Sequence, residues 1–178
     1  MKPNRTDYTI QKYLIKTAIV LVDTREQENA HILEYFDKKG IEYQVQKLEY
    51  GDYTILLPKN EEQGVYTDMI LEYSIERKAS LNELSGNFTK DRVRIEEELW
   101  RGRENIDLLV ENGSFDKIFE HDYSTQYNEK AFTATLLSFS FRYKFNIHFI
   151  SKENSGKMIY GLLKYKLREE LKWMTMTV

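Results

Sequence analysis

Two strand-like runs decide the fold, GDYTILLP at residues 51–58 and MILEYSIERK at residues 69–78. Tyr53–Pro58 and Met69–Ile75 are rich in aromatic, β-branched and aliphatic residues, and the polar segment Lys59–Asp68 separates them. This pattern predicts two strands joined by a loop. A hairpin of this kind returns Glu76 beside Asp52, so we expect two carboxylates to meet there.

Upstream of these runs, the pattern predicts a strand, a helix and a second strand. Thr17–Val22 is a continuous apolar and β-branched run, which is typical of a buried central strand. Glu28–Lys39 carries apolar residues at helical spacing and stops at Gly40, a common helix terminator. Ile41–Leu48 is the next predicted strand, and we expect it to form a meander with the two strands that follow.

Downstream, five elements alternate in type, which favours an α/β fold. The predicted elements, in chain order, are a helix over Phe88–Arg103, a strand over Ile106–Glu111, a helix over Glu129–Tyr143, a strand over Ile147–Ile150 and, closing the order, a helix over Ser155–Glu170. We therefore predict a mixed central β-sheet flanked by α-helices. With no linker or repeat in its 178 residues, we expect one domain over 1–178 with a core at about 17–170.

Composition excludes several classes of protein. The chain has no cysteine, which rules out disulfides and cysteine zinc fingers and favours a reducing cytoplasm. The first seven residues lack the apolar core of a secretory signal, and no apolar run approaches the roughly 20 residues that span a bilayer. The net charge of −3 offers nucleic acid no overall attraction, so DNA binding needs local basic clusters or metal ions.

The Gly51-Asp52 pair and the triplet Glu76-Arg77-Lys78 have the residue types of a metal-dependent phosphodiesterase site. Two carboxylates, Asp52 and Glu76, suffice to hold Mg²⁺, with Mn²⁺ as a substitute, because this ion keeps several of its waters. Lys78 lies on the same strand face as Glu76 and is expected to orient water or contact phosphate. Arg77 points the other way, either into an ion pair or, with a twist at the strand end, towards DNA phosphate.

A second polar cluster, Asp23-Thr24-Arg25-Glu26, follows the first predicted strand. Taken alone it is typical of a strand-to-helix turn, since acids are favoured where helices begin. Combined with the first cluster, Asp23 becomes a candidate third carboxylate and Arg25 a candidate phosphate-binding residue. The combination is more specific than either part.

Other residues have weaker signals. Arg92 falls in the apolar stripe of the predicted Phe88–Arg103 helix, so we expect it to point inward and either pair with Glu96 or bind phosphate. The helix over Glu129–Tyr143 is apolar on more than one side, because Leu137 and Phe141 lie off its main stripe, and this predicts a dimer interface. No function is assigned to the three histidines, which lack metal-ligand spacing: His31, His121 and His148.

The three blocks Val22–Glu26, Gly51–Tyr53 and Glu76–Lys78 closely resemble the nuclease domain of XPF-type structure-specific endonucleases. The resemblance runs over about Ile19–Lys166 and implies a PD-(D/E)XK, restriction-endonuclease-like fold. By this resemblance the metal-site acids are Asp23, Asp52 and Glu76, the catalytic lysine is Lys78, and the further active-site members are Arg25, Glu26 and Arg77.

The chain departs from this family pattern at two places. The family commonly has an aspartate where this chain has Asn82, so the next residue, Glu83, is a candidate substitute for that acid. Family members usually continue into tandem helix-hairpin-helix modules, whereas only Leu171–Val178 follow the last predicted helix. We therefore expect a stand-alone nuclease that is targeted by other means, as a homodimer or with a partner subunit.

The leading functional hypothesis is a magnesium-dependent DNA endonuclease, with a role in DNA repair, acting on branched, flap or junction DNA. One alternative is a catalytically silent XPF-like module for DNA binding or dimerisation. Because silent members usually lose the acids that this chain keeps, activity is favoured. A nickase or an exonuclease of the same PD-(D/E)XK class stays open.

Overall fold

A computed structural model describes residues 8–173. The segment expected to lack a secretory signal lies outside these residues, as does most of Leu171–Val178. The described helices and strands, in chain order, are α1 Tyr8–Thr17, β1 Ile19–Val22, α2 Ala30–Lys39, β2 Tyr43–Val45, β3 Tyr53–Leu57, β4 Met69–Ile70, β5 Ser74–Lys78, α3 Leu81–Thr89, α4 Arg92–Arg101, β6 Ile106–Glu111, α5 Phe115–Phe119, α6 Glu129–Tyr143, β7 Ile147–Ile150 and α7 Ser155–Trp173.

The first of two compact units contains α1 to β4, without residues 49–52, and α7 from Gly156 onward. Its sheet is mixed, because β1 is parallel to β2 and antiparallel to β3, which in turn pairs with β4. The expected meander is therefore wrong: helix α2 carries the chain across so that β2 lies parallel to β1. Helix α2 ends as predicted, with Gly40 in the left-handed conformation at φ 62°.

The second unit contains Glu49–Asp52 and residues 74–155. Strands β5, β6 and β7 are parallel, and the register places Glu76 opposite Leu108 and Lys78 opposite Val110. Helices α3, α4 and α6 cover this sheet with an aromatic core in which Phe88 contacts two rings of α6 edge-on. All of β6 is buried, which explains its continuous apolar sequence.

Several predicted elements are confirmed and two are wrong as single elements. The predicted strand over Met69–Ile75 is two strands, because the Thr54 hydroxyl donates to the carbonyls of Leu71 and Tyr73 between them. The predicted helix over Phe88–Arg103 breaks at residues 90–91, where α3 ends and α4 begins. Helices α1 and α5 were not predicted, nor was α3 apart from its last two residues, whereas the mixed α/β fold class and the bounds of β6, α6 and β7 are confirmed.

The break between α3 and α4 changes the position of Arg92. It begins α4 and is exposed, so the prediction that it points inward is wrong. Its guanidinium pairs with Glu96 at 2.8 Å and lies 4.9 Å from the centre of the Phe139 ring. The i, i+4 ion pair that was one of its two expected roles is therefore present.

Helix α6 buries the predicted stripe and leaves the other apolar residues at the surface. Phe132, Leu136 and Phe139 are buried, whereas Phe141 is 81% exposed. Among residues 8–173, no helix is both long and apolar enough to cross a membrane.

Candidate active site

Strand β5 positions the central pair of acidic and basic side chains. Glu76 and Lys78 are two residues apart on a strand, so they share one face. Lys78 Nζ donates to Glu76 Oε1 at 2.6 Å, and both side chains are more than nine-tenths buried. Among the described residues, this is the hydrogen bond that Glu76 makes through its carboxylate, which leaves Oε2 for another ligand.

Asp52 is bound to the same strand through the backbone. Its N–H donates to the carbonyl of Ile75 at 2.8 Å, and its Oδ2 accepts from the N–H of Arg77 at 2.7 Å. Gly51 allows this close approach: its φ is 70°, and a Cβ there would lie 2.3 Å from Ser74 Oγ. The Gly51-Asp52 turn therefore places a half-buried carboxylate directly beside the Glu76 strand, as the sequence predicted.

The charge of Lys78 is fixed by these acids. Burial opposes the ammonium form, but the carboxylates of Glu76, Asp52 and Glu83 outweigh burial and raise the pKa of Lys78 above its usual value. Lys78 therefore carries a positive charge at physiological pH. It can donate hydrogen bonds to a phosphate or a water but cannot act as a general base.

Comparison with known families agrees with this geometry. The family model of the ERCC4 domain matches residues 22–162, which include both clusters predicted from the sequence. The chain belongs to the ERCC4 domain family. No curated protein sequence matches the chain.

Solved structures share the fold of this chain. XPF from Aeropyrum pernix superposes with a TM-score of 0.62 at 18% identity, covering 90% of this chain and 66% of that one. The same protein in complex with DNA gives a TM-score of 0.57 at 18% identity, covering 85% and 66%. This chain thus spans just under two thirds of the structures it matches. The resemblance to XPF-type nuclease domains is confirmed.

Arg77 lies on the opposite face of β5 from Glu76 and Lys78. Its Nε and one terminal nitrogen donate to the two carboxylate oxygens of Glu111 at 2.8 and 3.0 Å, and both side chains are buried. Of the two roles left open for Arg77, the structure contains the ion pair. The predicted DNA-binding role of Arg77 stays untested.

The Asp23 cluster of this ERCC4 domain lies in the first unit. Asp23 Oδ1 accepts from the backbone N–H and Nε of Arg25, and Oδ2 accepts from Arg25 and from the N–H of Leu48 at 2.6 Å. Burial favours the neutral acid, but these donors outweigh it and lower the pKa of Asp23. The N–H of Glu26 donates to the Asp23 carbonyl, so the cluster forms a turn. The metal role of Asp23 and the catalytic roles of Arg25 and Glu26 stay predictions.

Asn82 and Glu83, where this chain departs from the family pattern, have separate partners. Asn82 Oδ1 accepts from the N–H of Ser124 at 2.7 Å and so holds the loop before α6. Glu83 accepts from the N–H of Ala79 and lies 3.6 Å from Lys78 Nζ. Glu83 therefore brings a further negative charge to the lysine, while Asn82 serves as a loop anchor.

Two acids near the site were not singled out from the sequence, Glu98 and Glu111. Glu98 lies on the buried face of α4, next to Leu99, and its Oε1 accepts from the N–H of Gly51 at 2.7 Å. Glu111 ends the buried strand β6. Each had a signal in the sequence. Glu98 is a charged residue inside an apolar stripe, and Glu111 is a charged residue at the end of an apolar strand.

A divalent cation needs oxygen ligands, and the site offers the carboxylates of Asp52 and Glu76. XPF-type nucleases depend in general on a divalent metal. Within residues 8–173, no three Asp, Glu, His or Cys side chains are grouped to hold an ion. Magnesium needs only one or two carboxylates with waters and substrate oxygens, and Glu76 Oε2 accepts from no described donor. The pair Asp52 and Glu76 therefore fits a hydrated hard cation and does not form a closed cage.

Proposed function

We propose that this ERCC4 domain is a divalent-metal-dependent DNA endonuclease that cleaves branched or flap DNA. The observation that carries the proposal is the half-buried Asp52 carboxylate bound to β5 beside the buried Glu76–Lys78 pair. A buried carboxylate and ammonium with unfilled hydrogen-bonding positions are costly unless a ligand completes them. A cation and a phosphate have the charges that complete this pair.

Asp52 and Glu76 are the proposed ligands of Mg²⁺ or Mn²⁺. When bound, this ion would neutralise phosphate charge and lower the pKa of a bound water. Asp23 is proposed as a further acid of the site, on the strength of the family resemblance alone. These assignments give each carboxylate a separate, testable role.

Lys78 acts on the substrate with its charged ammonium. One N–H of this ammonium donates to Glu76 Oε1, which fixes its direction. The other two N–H bonds of Lys78 can donate to a phosphate oxygen and to the attacking water. Hydrolysis joins the water oxygen to phosphorus, with a proton of that water passing to solvent, and breaks the bond to the 3′ oxygen, which takes a proton from solvent. Lys78 stabilises the negative charge that develops on the phosphoryl oxygens.

DNA is the proposed substrate because a structure of the similar XPF from Aeropyrum pernix is a complex with DNA. The proposal extends to a homodimer or a partner subunit that covers the exposed side of α6, where Leu137 and Phe141 lie. A monomer by light scattering at high protein concentration, alone and with DNA, would count against the homodimer. Loss of dimerisation in Phe141→Ser would support it.

The test is cleavage of closed circular DNA and of internally labelled linear, flap, fork and four-way-junction DNA with Mg²⁺, Mn²⁺ or chelator. Glu76→Gln and Lys78→Met are compared with Glu97→Gln, which changes an exposed acid on α4 and serves as the matched control. We expect wild type and the control to cleave only with metal, and both site variants to be inactive.

Each departure from this result has a meaning. Cleavage in the presence of chelator, or full activity in Glu76→Gln, refutes the proposed mechanism. Binding of DNA without cleavage of any substrate supports the silent module instead. Cleavage of linear ends but not of closed circular DNA identifies an exonuclease, and single-strand cuts alone identify a nickase.

A further inference from the structure

A buried acid on α4 holds the turn that carries Asp52. Glu98 lies between the apolar residues Ile95 and Leu99 and is itself buried. Burying a carboxylate in such surroundings is unfavourable unless its oxygens are hydrogen-bonded. Both oxygens of Glu98 have donors, and neither donor is the ordinary backbone of its own helix.

The first donor is the backbone of a residue 47 positions away. Glu98 Oε1 accepts from the N–H of Gly51 at 2.7 Å, and Glu98 Oε2 accepts from Arg101 at 2.5 Å. Arg101 lies one turn along the same helix and keeps the carboxylate turned towards Gly51. A bond from a backbone N–H to an ionised carboxylate is one of the stronger hydrogen bonds in proteins.

The segment Glu49–Asp52 groups with residues 74–155, although the residues on both sides of it belong to the first unit. Three hydrogen bonds join this segment to the second unit: Gly51 N–H to Glu98, Asp52 N–H to the Ile75 carbonyl, and Arg77 N–H to Asp52 Oδ2. The last two bind the turn to β5, and the first binds it to α4. Removing the α4 bond takes from the buried Gly51 N–H the carboxylate that accepts its hydrogen bond.

We propose that Glu98 is a positioning residue, which acts through the Gly51 N–H to hold Asp52 where a divalent cation is bound. This inference rests on the proposed function, since the position of Asp52 matters only if the cation binds there. Residues that orient metal ligands through hydrogen bonds typically change metal affinity about 10- to 100-fold when they are replaced. Glu98 belongs to this class although it touches neither cation nor substrate.

The experiment measures Mn²⁺ binding by calorimetry without DNA and hydrogen exchange of the Gly51 amide by NMR without metal. In Glu98→Ala we expect the Mn²⁺ affinity to fall about 10- to 100-fold and the Gly51 amide to exchange faster. Glu98→Gln keeps an acceptor for Gly51 and should recover most of the affinity, to within about fivefold of wild type. Glu97→Ala, the exposed neighbour on the same helix, should match wild type in both measurements.

A folded Glu98→Ala protein with wild-type Mn²⁺ affinity overturns the proposal, whether or not its Gly51 amide exchanges faster. If this variant does not fold, Glu98→Asp takes its place, because it keeps the charge but shortens the side chain; wild-type affinity in that variant also overturns the proposal. Should wild type neither bind Mn²⁺ nor cleave DNA, the proposed function fails, and the Gly51 exchange still decides whether Glu98 holds the turn.

Discussion

Strand β5 carries two buried ion pairs on its opposite faces, and they differ in how completely their hydrogen bonds are satisfied. Arg77 and Glu111 meet through two parallel bonds, and the Glu111 side chain is fully buried. Glu76 and Lys78 meet through one bond of 2.6 Å, which leaves the other Glu76 oxygen and two ammonium hydrogens for further partners. We call Arg77–Glu111 the sealed pair and Glu76–Lys78 the incomplete pair. The sealed pair, with its two parallel hydrogen bonds, is a structural contact. The incomplete pair lies beside a third charge, that of Asp52, and has the properties of a binding site.

This difference separates residues that the sequence presents as one triplet. Glu76, Arg77 and Lys78 are adjacent and charged, yet the alternation of the strand sends Arg77 into a layer where its charge is neutralised. The contrast therefore predicts different kinds of damage. Changes at the incomplete pair should remove activity, and changes at the sealed pair should remove stability.

The largest effect is expected for Glu76→Gln. The neutral amide loses the charge that attracts a cation, so kcat/KM with Mg²⁺ should fall at least about 10³-fold, equivalent to several kcal/mol of lost transition-state stabilisation. The chain should stay folded, because Asp52 and Glu83 still face Lys78. Cleavage rates and circular dichroism of the same preparation test both parts. An active Glu76→Gln variant, or an unfolded one, would break the contrast between the two pairs.

The sealed pair should give the next largest effect. Arg77→Met leaves the buried Glu111 without its two-fold partner, and we expect the free energy of unfolding to fall by about 3–5 kcal/mol. Replacing both partners, as in Arg77→Met with Glu111→Leu, should restore most of this loss, because no charge is then left buried without its partner. Urea unfolding of the single and double variants measures the difference.

The opposite result at Arg77 would also be informative. If Arg77→Met is as stable as wild type but binds DNA more weakly, the pair opens in solution and Arg77 contacts phosphate. The predicted DNA-binding role of Arg77 would then gain support, and the distinction between a sealed and an incomplete pair would be lost.

Much of this arrangement was accessible from the sequence because it depends on local patterns. The period of two along a strand predicted that Glu76 and Lys78 share a face and that Arg77 does not. The long apolar runs of β6 and α6 fixed those elements within a residue. Patterns of this kind report which way a side chain points, which is set by its immediate neighbours.

The parts that were missed depend on partners distant in the chain. Asp23 accepts from the N–H of Leu48, and Glu98 accepts from the N–H of Gly51, and no local spacing reveals a backbone donor.

The break before Arg92 has no Gly or Pro to mark it. Helix α3 did have a signal, since Ser80 and Glu83 have the spacing of a capping box, and Ser80 Oγ accepts from the Glu83 N–H at 3.2 Å.

Asp23 gives a second test of the contrast between satisfied and incomplete sites, because both oxygens of its carboxylate accept hydrogen bonds. Asp23→Asn weakens the bonds from Arg25 and Leu48, so the free energy of unfolding at pH 7 should fall by about 1–3 kcal/mol. Since the folded pKa of Asp23 is lowered, its contribution is full above the usual value of 3.8 and is lost as pH falls through the lower folded pKa. The variant and wild type should therefore converge in strongly acidic solution. Urea unfolding across pH tests this, and Mn²⁺ titration of the same variant tests the predicted metal role.

The smallest effect is expected at the exposed pair of Arg92 and Glu96, which lies outside both buried pairs. Arg92→Ala loses one ion pair and one contact with the Phe139 ring, both largely in water, so stability should change by less than about 1 kcal/mol. If Arg92 contacts a phosphate as predicted, the slope of log K for DNA against log salt should become shallower by about one. A large loss of stability would mean that exposure does not separate weak pairs from strong ones here. In that case, the exposed fraction of a side chain would not identify which charged residues along β5 can contact DNA.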